Sequence, residues 1–275
     1  MKKWMYNVLI CIFAAVFIVS GAMLAFYYWN AYVQESRYES LSQLRPSEND
    51  RTASGQVSPD GETASVVAEP ETVEITDPKT GEKRRILVEF LELFKLNNDI
   101  VGWLTIPSIE INYPVMHTPD APDYYLRRNF DKEKSNRGCL FVQPECDVFA
   151  PSDNITIYGH HMRDGSMFGQ LDKFQDPHFR QENPYIYFDT LTALHTYEII
   201  SVFLTTATIG EGFAYHQFVN AEDETAFNHF IDMCKELELY STGVEASYGD
   251  KLICLSTCEY SQSNGRLVVV AKRLT

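Results

Sequence analysis

Lys251-Leu252-Ile253-Cys254-Leu255-Ser256-Thr257-Cys258 and Arg266-Leu267-Val268-Val269-Val270-Ala271 are two apolar runs separated by the polar segment Glu259 to Gly265. Each run has the length and composition of a buried strand, and the segment between them suits a hairpin. The two therefore read as antiparallel neighbours. A thiol closes the first strand and a guanidinium opens the second, so the hairpin would bring Cys258 close to Arg266.

Further strands are expected upstream. Val101 to Ile106 and Ile109 to Val115 alternate apolar and polar residues, with Pro107-Ser108 as the turn. Gly138 to Val142, Asn154 to Tyr158, Tyr185 to Phe188 and His195 to Thr206 complete the set. Many short strands with turn signals suggest a closed barrel or a sandwich. Ile86, Phe90, Leu93, Phe94 and Leu96 recur at helical spacing, and a longer helix is expected from about Ala221 to Leu239. Its Phe227, Phe230, Ile231, Cys234 and Leu237 share one face, and Glu222, Asp223 and Glu224 suit the positive end of the helix dipole.

The N-terminal composition is different. After Lys2 and Lys3 no charged residue appears until Glu35, and Val8 to Trp29 is almost wholly apolar. That length matches the roughly 20 residues of a transmembrane helix. Tyr27-Tyr28-Trp29 suits the outer interface, and the two lysines favour a cytoplasmic N-terminus. A signal peptide cut after Ser20-Gly21-Ala22 is the competing reading, but the apolar run continues beyond that point. From Glu35 to about Arg85, Ser, Glu, Thr, Pro and Gly dominate, too little apolar surface to offset the entropy of ordering. A functional stalk and a spacer of no particular length both fit. Three parts are thus expected: an anchor over 1–34, an extracellular linker over 35–85 and a folded domain over 86–275.

Several function classes are excluded. A net charge of −15 across 275 residues argues against nucleic acid as a partner. The six cysteines are Cys11, Cys139, Cys146, Cys234, Cys254 and Cys258, with no C-x-x-C pair to suggest a zinc ribbon or thioredoxin-like site. Cys139 and Cys146 would pair only if a hairpin brought them together. No G-x-S-x-G elbow, S-x-x-K pair, H-E-x-x-H helix or P-loop occurs, and no cofactor or metal is implied.

Three residues remain as chemical candidates. Cys258 ends a strand, where a thiol can face an open groove, although free cysteines are more often simply buried. His160 follows Ile155-Thr156-Ile157-Tyr158-Gly159, with Gly159 permitting a bend or a close approach. If strand geometry persisted through His161, the two rings would point to opposite faces, and only one would meet the thiol. Arg266 either reaches solvent or serves a groove, where its guanidinium would stabilise an oxyanion.

With these residues in place, Leu255-Ser256-Thr257-Cys258 resembles the T-L-x-T-C motif of sortases, with Cys254 where the first Thr usually stands. Tyr158-Gly159-His160-His161-Met162 and Asn264-Gly265-Arg266-Leu267-Val268-Val269 are similar to the family's histidine and arginine segments. The order His, Cys, Arg matches too, and the N-terminal helix and the long helix before the cysteine strand look like class B. The resemblance implies a mainly β, eight-stranded barrel following a single transmembrane helix. It implies a cysteine transpeptidase with Cys258 as nucleophile, His160 as acid and base, and Arg266 on the oxyanion side. Ser256 and Thr257 are auxiliary candidates, with ordinary strand residues the equal alternative. The implied partners are proteins bearing a C-terminal sorting signal, with a peptidoglycan-precursor amine or a pilin lysine as acceptor. A bell-shaped pH–rate profile is expected, because the thiol must be ionised while the imidazole is protonated. A hydrolase using the same pair and a non-enzymatic tethered binding protein stand as alternatives.

Overall fold

The computed structural model describes residues 3–45, 70–78, 80–208, 210–260 and 264–275. The chain divides into two compact units, Met1–Gln43 and Leu44–Thr275. The first is one helix, α1 (Lys3–Ser42), of 40 residues. At 1.5 Å per residue it is roughly 60 Å long, about twice a bilayer's hydrocarbon thickness. Its apolar part passes the length and composition test for a membrane span. The helix runs past the expected boundary at residue 34 through Gln34-Glu35-Ser36-Arg37-Tyr38-Glu39, which holds no Gly or Pro to stop it. Gln34 Nε2 donates to Tyr38 Oη one turn on, at 2.9 Å.

Part of the segment expected to be linker is also ordered. Arg45 is buried within the second unit, paired with Asp189 at 2.5 Å and Glu89 at 3.3 Å. Its guanidinium lies 4.9 Å from the Phe90 ring centre and 5.2 Å from that of Trp103. Strands β1 (Thr72–Thr76) and β2 (Lys83–Leu87) form an antiparallel hairpin turning through Gly81 at φ 74°. Its alternating Val73, Ile75 and Ile86 were masked in the sequence by flanking Glu, Lys and Arg. The expectation for residues 46–69 lies outside the described residues. A turn Val88–Phe90 and helix α2 (Leu91–Leu96) follow, burying Phe90, Leu93 and Phe94. Ile86, expected on this helix, is a buried strand residue instead, and Leu96 is exposed.

Eight further strands form a closed barrel. They are β3 (Ile100–Ile106), β4 (Ile111–Met116), β5 (Leu140–Val142), β6 (Asn154–Tyr158), β7 (Tyr185–Thr190), β8 (Thr196–Thr206), β9 (Leu252–Glu259) and β10 (Gly265–Arg273). Around the barrel the order is β10-β8-β7-β3-β4-β5-β6-β9, and β9 pairs back to β10. The β4/β5 and β6/β9 pairs are parallel and the rest antiparallel. Every residue of β3 is buried, so the strand is covered on both faces where its alternation suggested one. A short helix α3 (Pro177–Glu182) precedes β7, capped by Asp176.

Helix α4 (Glu224–Leu237) packs outside β8, β9 and β10. Asp223 caps it, accepting from the Ala226 N–H at 2.8 Å, an arrangement that satisfies one of the orphan N-terminal donors. Phe227, Phe230, Ile231 and Cys234 bury against Leu252, Cys254, Val268 and Val270. Residues two apart share a strand face, so the face α4 covers on β9 continues through Ser256 to Cys258. On β10 it continues from Val268 back to Arg266. The candidate site is the uncovered end of this strip.

Candidate active site

The hairpin read from the sequence forms, and its register sets Arg266 directly opposite Cys258. Both are half-buried, and both line a groove of about 720 Å³. Arg266 Nη1 donates to the carbonyls of Gly265 at 2.9 Å and Asn264 at 3.3 Å. Among the described residues no carboxylate pairs with Arg266.

His160 reaches the same groove from β6. Strand β6 lies parallel to β9 with Tyr158 opposite Ser256, and the Gly159 N–H donates to the Ser256 carbonyl at 3.2 Å. The His turn thus leaves β6 beside the end of β9. Gly159 is needed for proximity: a Cβ there would come within 2.5 Å of Leu140 and 2.6 Å of Phe168. His160 Nε2 lies 2.8 Å from the Leu126 carbonyl. A carbonyl only accepts, so Nε2 carries the hydrogen and Nδ1 is the nitrogen free to exchange a proton.

His161 turns away. Its Nε2 is 3.5 Å from Asp172 Oδ2, and its ring meets Tyr260 edge-on at 5.1 Å. Burial raises the Asp172 carboxyl, with His161 pulling the other way and Glu259 adding to the rise. The divergence expected of adjacent strand residues holds.

Ser256 and Thr257 line the groove, but each hydroxyl has a partner. Ser256 Oγ is 2.6 Å from Tyr215 Oη, and Thr257 Oγ1 donates to the Gly159 carbonyl at 2.8 Å. The second bond ties the cysteine strand to the histidine turn. Burial pushes Tyr215 up to about 12, against the Ser256 hydrogen bond, so its phenol keeps its proton near neutrality. The groove's far wall is the β8–α4 connection at His216, Gln217 and Val219. Gln143 holds that wall through the His216 carbonyl at 2.7 Å and receives the Tyr158 hydroxyl at 2.9 Å.

The other cysteines lie elsewhere. Cys139, Cys146, Cys234 and Cys254 are buried, and no disulfide joins Cys139 to Cys146. Burial pushes the Cys146 thiol up to about 11 and the Cys254 thiol far higher. Of the described cysteines in the second unit, only Cys258 is open to solvent. No cluster of three or more His, Cys, Asp or Glu suited to a metal ion occurs among the described residues.

A family model of the sortase domain matches residues 104–274. The chain belongs to the sortase family. It is 35% identical over 189 residues to sortase B of Listeria monocytogenes, covering 68% of this chain and 74% of the relative. It is 31% identical over 186 residues to sortase B of Staphylococcus aureus, covering 67% and 74%. Among solved structures, a Staphylococcus aureus sortase B–substrate complex superposes with TM-score 0.64 at 29% identity, over 69% of this chain and 86% of that one. Sortase B from Bacillus anthracis in complex with AAEK1 gives 0.60 at 34%, over 74% and 89%. The sortase is most like class B, its eight-stranded barrel is the class B barrel, and it is a cysteine transpeptidase. Cys254, standing where the motif's first Thr usually lies, fills a place under α4 rather than in the groove.

Leu126, Tyr215, Gln143 and Val219 were not singled out from the sequence. Leu126 acts through its backbone, and the others come from distant segments, so residue type and spacing carried no signal for them.

Proposed function

We propose that this sortase cleaves a C-terminal sorting signal and transfers the acyl part to an amino group of a cell-wall precursor. Cys258 attacks the scissile carbonyl as the thiolate, and the tetrahedral oxyanion develops beside Arg266. The intermediate collapses to a thioester as His160 Nδ1 gives its proton to the departing amine. An incoming amine attacks the thioester, His160 takes its proton, and the thiolate leaves. The observation that carries this reading is the Cys258–Arg266 register pair opening into the same groove as His160. The substrate complex of the Staphylococcus aureus relative supports a substrate as the occupant of this groove. Ser256 and Thr257 serve the groove indirectly, by holding its wall and the histidine turn.

The apolar segment of α1 anchors the chain in the cell membrane, N-terminus inside, with Leu44–Thr275 on the outer side. The catalytic domain takes in the β1–β2 hairpin as well as the barrel.

The test uses the full-length protein in detergent, a pentapeptide library and a panel of amines, with products read by mass spectrometry. Ligated product that requires the amine is expected, and Cys258→Ala should abolish it. Turnover without any ligated product would make the protein a hydrolase. Full activity in Cys258→Ala would end every version of this mechanism. Lysine ε-amines as the only productive acceptors would redirect the reading to pilus assembly.

A further inference from the structure

His160 is oriented by a main-chain atom, the Leu126 carbonyl, at 2.8 Å. A backbone carbonyl is only as well placed as the segment that carries it. That segment is a four-residue 3-10 turn, Tyr124–Arg127, a type of element with little stability of its own. Its neighbour in sequence, Tyr125, is wholly buried, and its hydroxyl donates to Asp99 Oδ2 at 2.7 Å. Asn97 Nδ2 donates back to that hydroxyl at 2.8 Å and to the Phe130 carbonyl at 2.6 Å. Asn97 Oδ1 receives the Asp99 N–H at 3.0 Å, and Lys132 Nζ lies 2.9 Å from Asp99 Oδ2. The Tyr125 carbonyl accepts from the Cys139 N–H at 3.0 Å. Gly138, at φ 60°, leaves room for both carbonyls, since a Cβ there would come within 2.5 Å of the Tyr125 oxygen and 2.8 Å of the Leu126 oxygen.

Asn97 and Asp99 are 4% and 6% exposed, so a carboxylate and an amide taken out of water both bind the Tyr125 phenol. Burying such groups gives little net stability over an apolar cluster of the same volume, but it fixes one geometry. Burial and Asp99 together raise the Tyr125 hydroxyl well above its ordinary range, against the Asn97 bond, so it remains a donor. In a Cys–His pair the third group fixes the imidazole tautomer. Here the Leu126 carbonyl fills that place.

We propose that Asn97, Asp99 and Tyr125 are positioning residues for His160, holding the Leu126 carbonyl where it keeps the hydrogen on Nε2 and Nδ1 free. The proposal rests on His160 being the acid and base of the transpeptidation.

The experiment uses the full-length protein labelled with ¹⁵N-histidine, in detergent, with His160→Ala to assign the His160 ring signals. The parent should show a single Nε2–H tautomer at His160. Tyr125→Phe should give a mixture of tautomers, lower kcat about tenfold and leave KM within about twofold. Asp99→Asn keeps an acceptor for the phenol but gives up the Lys132 ion pair, and should lower kcat about threefold with mixed tautomers, less than Tyr125→Phe. Val202→Ala, a cavity variant in β8 outside the network, reports what lost stability alone does. A kcat loss in Tyr125→Phe no greater than in Val202→Ala, with the tautomer unchanged, would overturn the proposal. Should Tyr125→Phe fail to fold, Lys132→Met loosens the same carboxylate from a half-exposed position. It should lower kcat about threefold with mixed tautomers, and unchanged values would overturn the proposal equally. Full activity in His160→Ala would instead remove the transpeptidation reading and this inference with it. An inactive His160→Ala beside an unaffected Tyr125→Phe would remove only the inference.

Discussion

Arg266 shows how much one position depends on its cross-strand partner. It lies opposite Cys258, where the proposed mechanism develops negative charge on the carbonyl oxygen, and two of its own turn's carbonyls restrain its guanidinium. Lysine offers a point charge without the planar fork and would not make both restraints in the same way. Arg266→Lys is therefore expected to lower kcat by about 100-fold, the scale of losing one oxyanion donor, with KM little changed, as steady-state kinetics on a ligated peptide would show. Ser256→Ala tests the opposite kind of residue. It leaves the buried Tyr215 hydroxyl unpaired and should destabilise the fold by about 1–3 kcal/mol, read by thermal unfolding, more than it slows turnover. That His160, Cys258 and Arg266 would share one groove was legible, because their types and order match a known family's segments. Leu126 was not, since any residue type supplies a carbonyl and the 34-residue separation from His160 leaves no pattern.

At the scale of elements, the β8–α4 connection is fastened before it can form a groove wall. Asp153 does most of this: Lys251 Nζ reaches its Oδ1 at 2.8 Å, and the Ala221 N–H donates to its Oδ2 at 2.9 Å. The Asp153 N–H and Asn154 N–H bind Asn220 Oδ1 and the Val219 carbonyl at 3.1 and 2.9 Å. Burial alone would raise the Asp153 carboxyl, but Lys251 and the Ala221 N–H outweigh it and hold it below the ordinary 3.8. A carboxyl depressed on folding stabilises fully above its unfolded pKa and loses that contribution as pH falls through the folded value. Asp153→Asn should thus cost about 2 kcal/mol at neutral pH, and the gap to the parent should close as the medium is acidified below pH 3.8. A gap of constant size in thermal unfolding down to the acid limit would show that the charge is irrelevant. The barrel strands and α4 were legible because apolar alternation and helical spacing mark them locally. The β1–β2 hairpin was not, because its exposed positions carry Glu, Lys and Arg like the segment before it.

At the scale of the whole molecule, closure of the barrel depends on two parallel pairs, β4/β5 and β6/β9. Neither can be read from local periodicity, since parallel partners need long crossovers and the sequence does not state their register. The parallel β6/β9 pair brings the histidine and cysteine strands together, so the resemblance to a known family supplied what periodicity could not. The N-terminal helix is the reverse case, since composition alone sets its solvent. Val8 to Trp29 lies exposed along α1, with Phe17 80% and Ile18 69% accessible. An apolar surface of that length is compatible with lipid and costly in water. The full-length chain should therefore sediment with membranes, resist high salt and alkaline carbonate, and be released only by detergent. A chain lacking residues 1–34 should be soluble. The mass of the membrane-bound protein decides between anchor and leader, because an uncleaved anchor retains residues 1–22 while a cleaved leader loses them. Recovery of the shortened mass, free of the membrane fraction, would overturn the anchor. Recovery of the intact mass, together with protease access to Leu44–Thr275 only from outside the cell, would establish the orientation that Lys2 and Lys3 favour.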